Sequence, residues 1–155
     1  MNVLDENFPD DQRRLLLAKR VHVQKIGRGL GRRGMKDDGI IPVLHQLERP
    51  TFFTLDEDFY HRRFCHRGYC VVHLDVDDYS AADYLRRVLR HRDLNSKTKR
   101  MGLVIQVQPA GMTFWRINQK KVEHLEWDLC TILDLLMCES KNKAATAALS
   151  QQKDA

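Results

Sequence analysis

Residues 51–59 read TFFTLDEDF, a β-rich apolar run that passes directly into three consecutive acids. β-branched and aromatic residues favour strands, so residues 51–55 predict a strand whose carboxyl end is acidic. The same pattern stands at the start of the chain, where residues 1–4 (MNVL) lead into Asp5, Glu6 and Asn7. It recurs at 69–74 (YCVVHL), followed by Asp75, Asp77 and Asp78. Three strands that each end in acids predict acidic groups along one edge of a sheet.

The intervening segments read as helices. Pro9, Asp10 and Asp11 suit a helix N-terminus, followed by Leu16 and Leu17 with outward arginines. Residues 21–26 alternate as a second strand, and the basic loop 27–34 carries four glycines. Asp37 or Asp38 opens the next helix, with Ile40, Leu44 and Leu47 on one face. Ser80 and Asp83 resemble a capping box ahead of Ala81, Leu85 and Val88. Residues 101–107 and 113–117 predict a hairpin, 122–139 a leucine-rich helix and 140–155 a flexible tail.

This alternation predicts an α/β protein with a mostly parallel central sheet flanked by helices, one domain over residues 1–139 that closes with a C-terminal hairpin and helix. At 155 residues, one core is the expectation. Hydrophobic residues at 43% and charged residues at 30% fit a folded globular chain. No apolar run of membrane-spanning length occurs, and the acidic start is unlike a secretory signal, so a cytoplasmic protein with no membrane partner is expected. Four cysteines, Cys65, Cys70, Cys130 and Cys138, are too few and uneven for a disulfide framework.

Charge is segregated along the chain. Residues 11–36 hold nine Lys or Arg against one acid, and residues 86–100 seven against one, with the acidic clusters between them. A basic rim around acidic points suits a polyanion held over a metal site. In a parallel sheet, Asp5 and Asp56 lie at strand carboxyl ends and Asp38 where a helix begins, so all three can line one crevice, with Asp58 in reach. Like charges do not cluster without cause, and a hard divalent cation, Mg²⁺ or Mn²⁺, removes the conflict.

LDEN at 4–7 with Pro9, the Asp pair at 37–38 and TLDEDF at 54–59 together resemble the small PIN-like proteins, relatives of VapC-type toxin ribonucleases. The resemblance covers residues 1–75 by motif order and spacing. It implies a three-layer PIN-like sandwich and an Mg²⁺- or Mn²⁺-dependent endoribonuclease, the toxin of a toxin–antitoxin pair. Asp5, Asp38, Asp56 and Asp58 are the implied metal-binding and catalytic carboxylates, with Asp37 competing for the place of Asp38. Asn7, Arg28, Arg32, Arg33, Arg62 and Arg63 are the expected substrate-binding residues. RNA, an antitoxin protein and a second copy of the chain are the expected partners.

Other readings stand beside this one. The acids can be helix caps and turn residues, leaving a nucleic-acid-binding module that works through its basic face. Glu6 and Thr54 either support the site or serve the turn and the strand. Asp75 is a further candidate ligand. His61, Cys65, His66 and Cys70 lack a zinc knuckle. A receiver-like phospho-acceptor site requires a lysine after the fifth strand, and residues 106–111 offer none.

Overall fold

The computed structural model describes residues 1–129 together with 132, 133 and 137. Eight strands form one sheet: β1 Asn2–Leu4, β2 Val23–Ile26, β3 Gly29–Leu30, β4 Thr51–Thr54, β5 Cys70–Leu74, β6 Leu103–Gln108, β7 Gly111–Arg116 and β8 Glu123–Leu125. Their order is β3-β2-β1-β4-β5-β6-β7-β8, parallel through β6 and antiparallel at β7 and β8. Among the described residues up to β8, the α-helices are α1 Asp10–Ala18, α2 Asp37–Gln46, α3 Ala81–Arg90 and the short α4 Lys97–Arg100.

The register explains why the central strands are apolar throughout. Val3, Phe52, Val71 and Val104 align across β1, β4, β5 and β6, and pack with Ile40 and Leu44 of α2. The next row, Leu4, Phe53, Val72 and Ile105, faces the other way, against Leu16 of α1 and Ala81, Leu85 and Val88 of α3. Side chains alternate across a strand, so a sheet covered on both faces needs apolar residues at both parities. The expected parallel sheet with helices on both faces is therefore present. Gln12 joins the helices of one face, its Oε1 accepting the Ala82 N–H at 3.0 Å.

The β4–β5 crossover carries no α-helix. Two short 3₁₀ turns, Glu57–Phe59 and Arg62–Phe64, run across the sheet instead. Phe59, Tyr60, Phe64 and Cys65 press onto the α2-side core, and the Tyr60 hydroxyl bonds the Thr113 hydroxyl on β7 at 2.8 Å.

The hairpin forms as β6–β7, but the sheet does not end there. Where the sequence predicts a helix at 122–139, Glu123–Leu125 is a strand paired with β7 through Met112↔Leu125, Thr113↔His124 and Phe114↔Glu123. An unpaired β7 would expose a row of backbone donors and acceptors, and this pairing outweighs the helical spacing of the first residues. Trp127 follows, donating its indole N–H to the Gln108 carbonyl at 3.2 Å. Helical structure starts only at Leu129. The expected tail 140–155, with Cys130 and Cys138, lies outside the described residues.

Two small elements were not legible in the sequence, β3 and α4. Arg100 at the end of α4 is buried, donating from Nε to Thr51 Oγ1 at 2.9 Å and from a terminal nitrogen to the Leu94 carbonyl at 2.6 Å. It fastens α4 to the amino end of β4, at the edge away from the acids. Among the described residues no helix is long and apolar enough to cross a membrane.

Candidate metal centre

Between the edge strand β3 and the antiparallel β7, the run β2-β1-β4-β5-β6 is a doubly wound order that reverses between β1 and β4. Crossovers leave on opposite sides of the sheet at such a point and open a crevice at the carboxyl ends. Asp5 follows β1 and Asp56 follows β4, so both acids stand at this crevice.

Continuing the α2-side row by two residues places Asp5, Thr54, His73 and Gln106 after Val3, Phe52, Val71 and Val104. Thr54, His73 and Gln106 are register partners across β4, β5 and β6. The apolar rows thus end in a polar one beneath the N-terminus of α2. Asp5 is only 6% exposed, and both of its oxygens are held. The Glu6 N–H donates to Oδ1 at 2.7 Å and the Thr54 hydroxyl to Oδ2 at 2.6 Å. Burial raises the Asp5 pKa above the usual carboxylate range, with Asp56 and Asp37 adding repulsion and the two hydrogen bonds opposing it.

The metal-competent grouping found among the described residues is Asp37, Asp56 and Asp58, whose carboxylate oxygens lie within 4.8 Å of one another. Asp37 opens α2, and the 3₁₀ turn after β4 supplies the other two. Asp56 Oδ1 accepts the Asp58 N–H at 3.0 Å, which folds the turn back and brings both carboxylates to one side. The pKa of Asp37 is raised, first by burial and then by Asp56, Asp58 and Asp38. Three mutually repelling hard oxygen donors fit a divalent Mg²⁺ or Mn²⁺ ion, which needs oxygen ligands and supplies the missing charge.

Of the four expected ligands, Asp56 and Asp58 are in this grouping. Asp5 stands behind it, tied through Thr54, whose Oγ1 also accepts the Asp56 N–H at 3.0 Å. Asp38 is outside it and exposed, and Asp37 takes its place. Adjacent residues on a helix point about 100° apart, so only one of the pair faces the crevice.

Asn7 is exposed in the turn after β1. Glu6 has a structural use, its Oε2 accepting the Gly34 N–H at 2.7 Å and tying the glycine loop to that turn. Gly27 in that loop has φ +78°, a left-handed conformation natural to glycine. Arg28 leans toward Asp10 at 3.8 Å, and Arg32 and Arg33 are exposed. Asp75 accepts from Gln108 Nε2 at 2.8 Å and is not in the carboxylate grouping.

Arg63 lines an open cleft of ≈ 610 Å³ with Asp37 and Asp58, and Arg62 an adjoining groove of ≈ 400 Å³. The zinc residues do not converge. His61 Nδ1 accepts the Arg63 N–H at 3.1 Å, His66 Nδ1 accepts the Gly68 N–H at 3.0 Å, and burial pushes the Cys70 thiol up to about 12.

Sequence reasoning missed His73 and Gln106. His73 is buried on β5, and burial holds its imidazole below the usual value. Gln106 reaches His73 Nδ1 at 3.5 Å and lines the cleft. Aligning the strands by their apolar rows would have found both.

The fold and this edge define a doubly wound α/β protein with an acid-lined cleft at its switch point. Compared with models of protein families, with curated proteins and with solved structures, the chain matches none, and the site is read from its own residues.

Proposed function

We propose that this chain is a divalent-cation-dependent nuclease of PIN-like type, acting on RNA phosphodiester bonds. The observation that carries the proposal is the Asp37, Asp56 and Asp58 cluster at the switch-point crevice. In it, Asp37, Asp56 and Asp58 hold Mg²⁺ or Mn²⁺, with Asp5 as the buried carboxylate behind them. A bound ion of this kind activates water and stabilises charge developing on phosphate.

The chain's own residues orient the reacting groups. Thr54 fixes Asp5 and the Asp56 backbone, and the Asp56 cap holds Asp58. Arg63, which lines the same cleft as the acids, neutralises phosphate without competing for the ion, and His61 beside it offers a hydrogen bond. Arg28, Arg32 and Arg33 of the glycine loop are exposed and add only to the general positive field around the cleft. The implied antitoxin or second copy would use another surface; Leu129 and Leu133 are exposed near the C-terminal end.

The test is cleavage of single-stranded RNA by the purified chain with Mg²⁺ or Mn²⁺ and with excess EDTA. Cleavage confined to the metal-containing samples is expected. Undiminished cleavage in EDTA overturns the proposal, and RNA binding without cleavage under any metal condition favours the non-catalytic binding module.

A further inference from the structure

Two basic segments flank the cleft on opposite sides: the glycine loop beside β2 and β3, and the His61–Arg62–Arg63 turn that crosses toward β7. They differ in how they are engaged. On the glycine-loop side, Glu6 accepts the Gly34 N–H and Asp10 stands 3.8 Å from Arg28, so a carboxylate lies beside one of that loop's arginines. On the other side, the acid-lined cleft and the neighbouring groove adjoin, since His61 and Arg63 line both.

Among the described residues, no acid lines that second groove, while His61, Arg62, Arg63 and Arg116 do. Arg116 is paired with Glu123 at 3.0 Å, which leaves the turn itself to receive an anion.

The turn is also pre-ordered. The Arg63 guanidinium lies 4.7 Å from the Phe64 ring centre; Phe64 packs on Phe59, and Phe59 on Phe52 in the core. Tyr60 pins the segment to Thr113 of β7. Since His61 Nδ1 accepts the Arg63 N–H, the neutral imidazole carries its proton on Nε2 and remains a donor there. A cation held in place loses less entropy on binding phosphate than a mobile one.

We infer that a single-stranded polynucleotide leaves the carboxylate cleft over the His61–Arg62–Arg63 turn, which holds a backbone phosphate next to the one at the acids. The inference rests on the nuclease reading for the place of the scissile phosphate, but binding tests it without catalysis. The glycine loop then contributes only a diffuse field.

The experiment is fluorescence anisotropy of labelled hexauridylate with the full chain in EDTA, over a series of salt concentrations. The double variant R62A/R63A is expected to weaken binding about tenfold at low salt. Its plot of log affinity against log salt should flatten by about 0.7 for each phosphate that the variant no longer neutralises. R62K/R63K keeps the charges and should retain most of the slope, and Arg62 and Arg63 are exposed, so thermal melts of both variants should match the parent. The triple variant R28A/R32A/R33A is expected to change affinity by less than about threefold.

A larger loss in the triple variant than in the double overturns the path, as does a parent chain that does not bind hexauridylate. Binding that depends on Arg62 and Arg63, without cleavage under Mg²⁺ or Mn²⁺, upholds the path and overturns the nuclease reading. Cleavage with affinity indifferent to Arg62 and Arg63 does the reverse.

Discussion

The Thr54 hydroxyl donates to Asp5 Oδ2 at 2.6 Å, in the interior and across 49 residues of sequence. The same hydroxyl oxygen accepts the Asp56 N–H. One threonine therefore sets a buried carboxylate and the start of the acidic turn together. Thr54→Val leaves the Asp5 oxygen and the Asp56 N–H short of a partner, a cost of about 1–3 kcal/mol. For a chain of this size, that lowers Tm by roughly 2–4 °C per kcal/mol. Thr54→Ser keeps the hydroxyl and should recover most of the loss. Melts of both variants check this, and equal losses would show that the methyl group matters more than the hydrogen bonds.

Asp56 carries two roles that a single substitution separates. Asparagine retains an oxygen to accept the Asp58 N–H, so the cap survives Asp56→Asn while one negative charge leaves the cluster. The metal-free variant should melt at or above the parent. It should also lose RNA cleavage and the rise in Tm that Mg²⁺ gives the parent. A variant destabilised by about 0.5–2 kcal/mol yet fully active would make Asp56 a turn residue only.

Asp37 and Asp38 are adjacent, but only Asp37 meets the other carboxylates. Asp37→Asn should abolish Mg²⁺-dependent stabilisation and cleavage. Asp38→Asn removes only a favourable charge at the N-terminus of α2, worth about 0.3–1 kcal/mol, and should cleave within about threefold of the parent. Parallel melts and cleavage rates decide, and the opposite ranking would move the ligand to Asp38.

The raised pKa values of Asp5 and Asp37 give a pH dependence of definite sign. In the unfolded chain these groups release protons near the ordinary value of 3.8. In the folded, metal-free chain they hold them to higher pH. Between the two values the folded state binds more protons, so these groups' contribution to stability falls as pH rises through that window and stays low above it. Asp37→Asn should therefore gain stability relative to the parent as pH rises. Mg²⁺ should stabilise the parent more at neutral pH than in mild acid, because the ligands must be ionised. Chemical denaturation at several pH values, with and without Mg²⁺, measures both. A parent–variant difference independent of pH would remove Asp37 from the repulsive cluster.

The central strands were legible because two parities of apolar side chains cannot be hidden except inside a sheet covered on both faces. That Asp56 and Asp58 stand at the crevice was legible because a strand's carboxyl end in such a sheet opens on it. The choice between Asp37 and Asp38 was not, since it turns on the rotation of α2 about its axis. Nor were His73 and Gln106, which become neighbours of Thr54 only through the pairing of β4, β5 and β6. The helix expected at 122–139 failed at its first turn because the free edge of β7 offered backbone hydrogen bonds that local spacing does not encode.

By itself, then, the sequence determined the alternation of strands and helices, the parallel character of the sheet and the acidity of its carboxyl edge, since each follows from local periodicity and the residue types at strand ends. Tertiary structure decided which acids meet, which basic loop adjoins them and where the last strand pairs. Those depend on strand register, helix rotation and edge pairing, relations between segments that no single stretch of the chain contains.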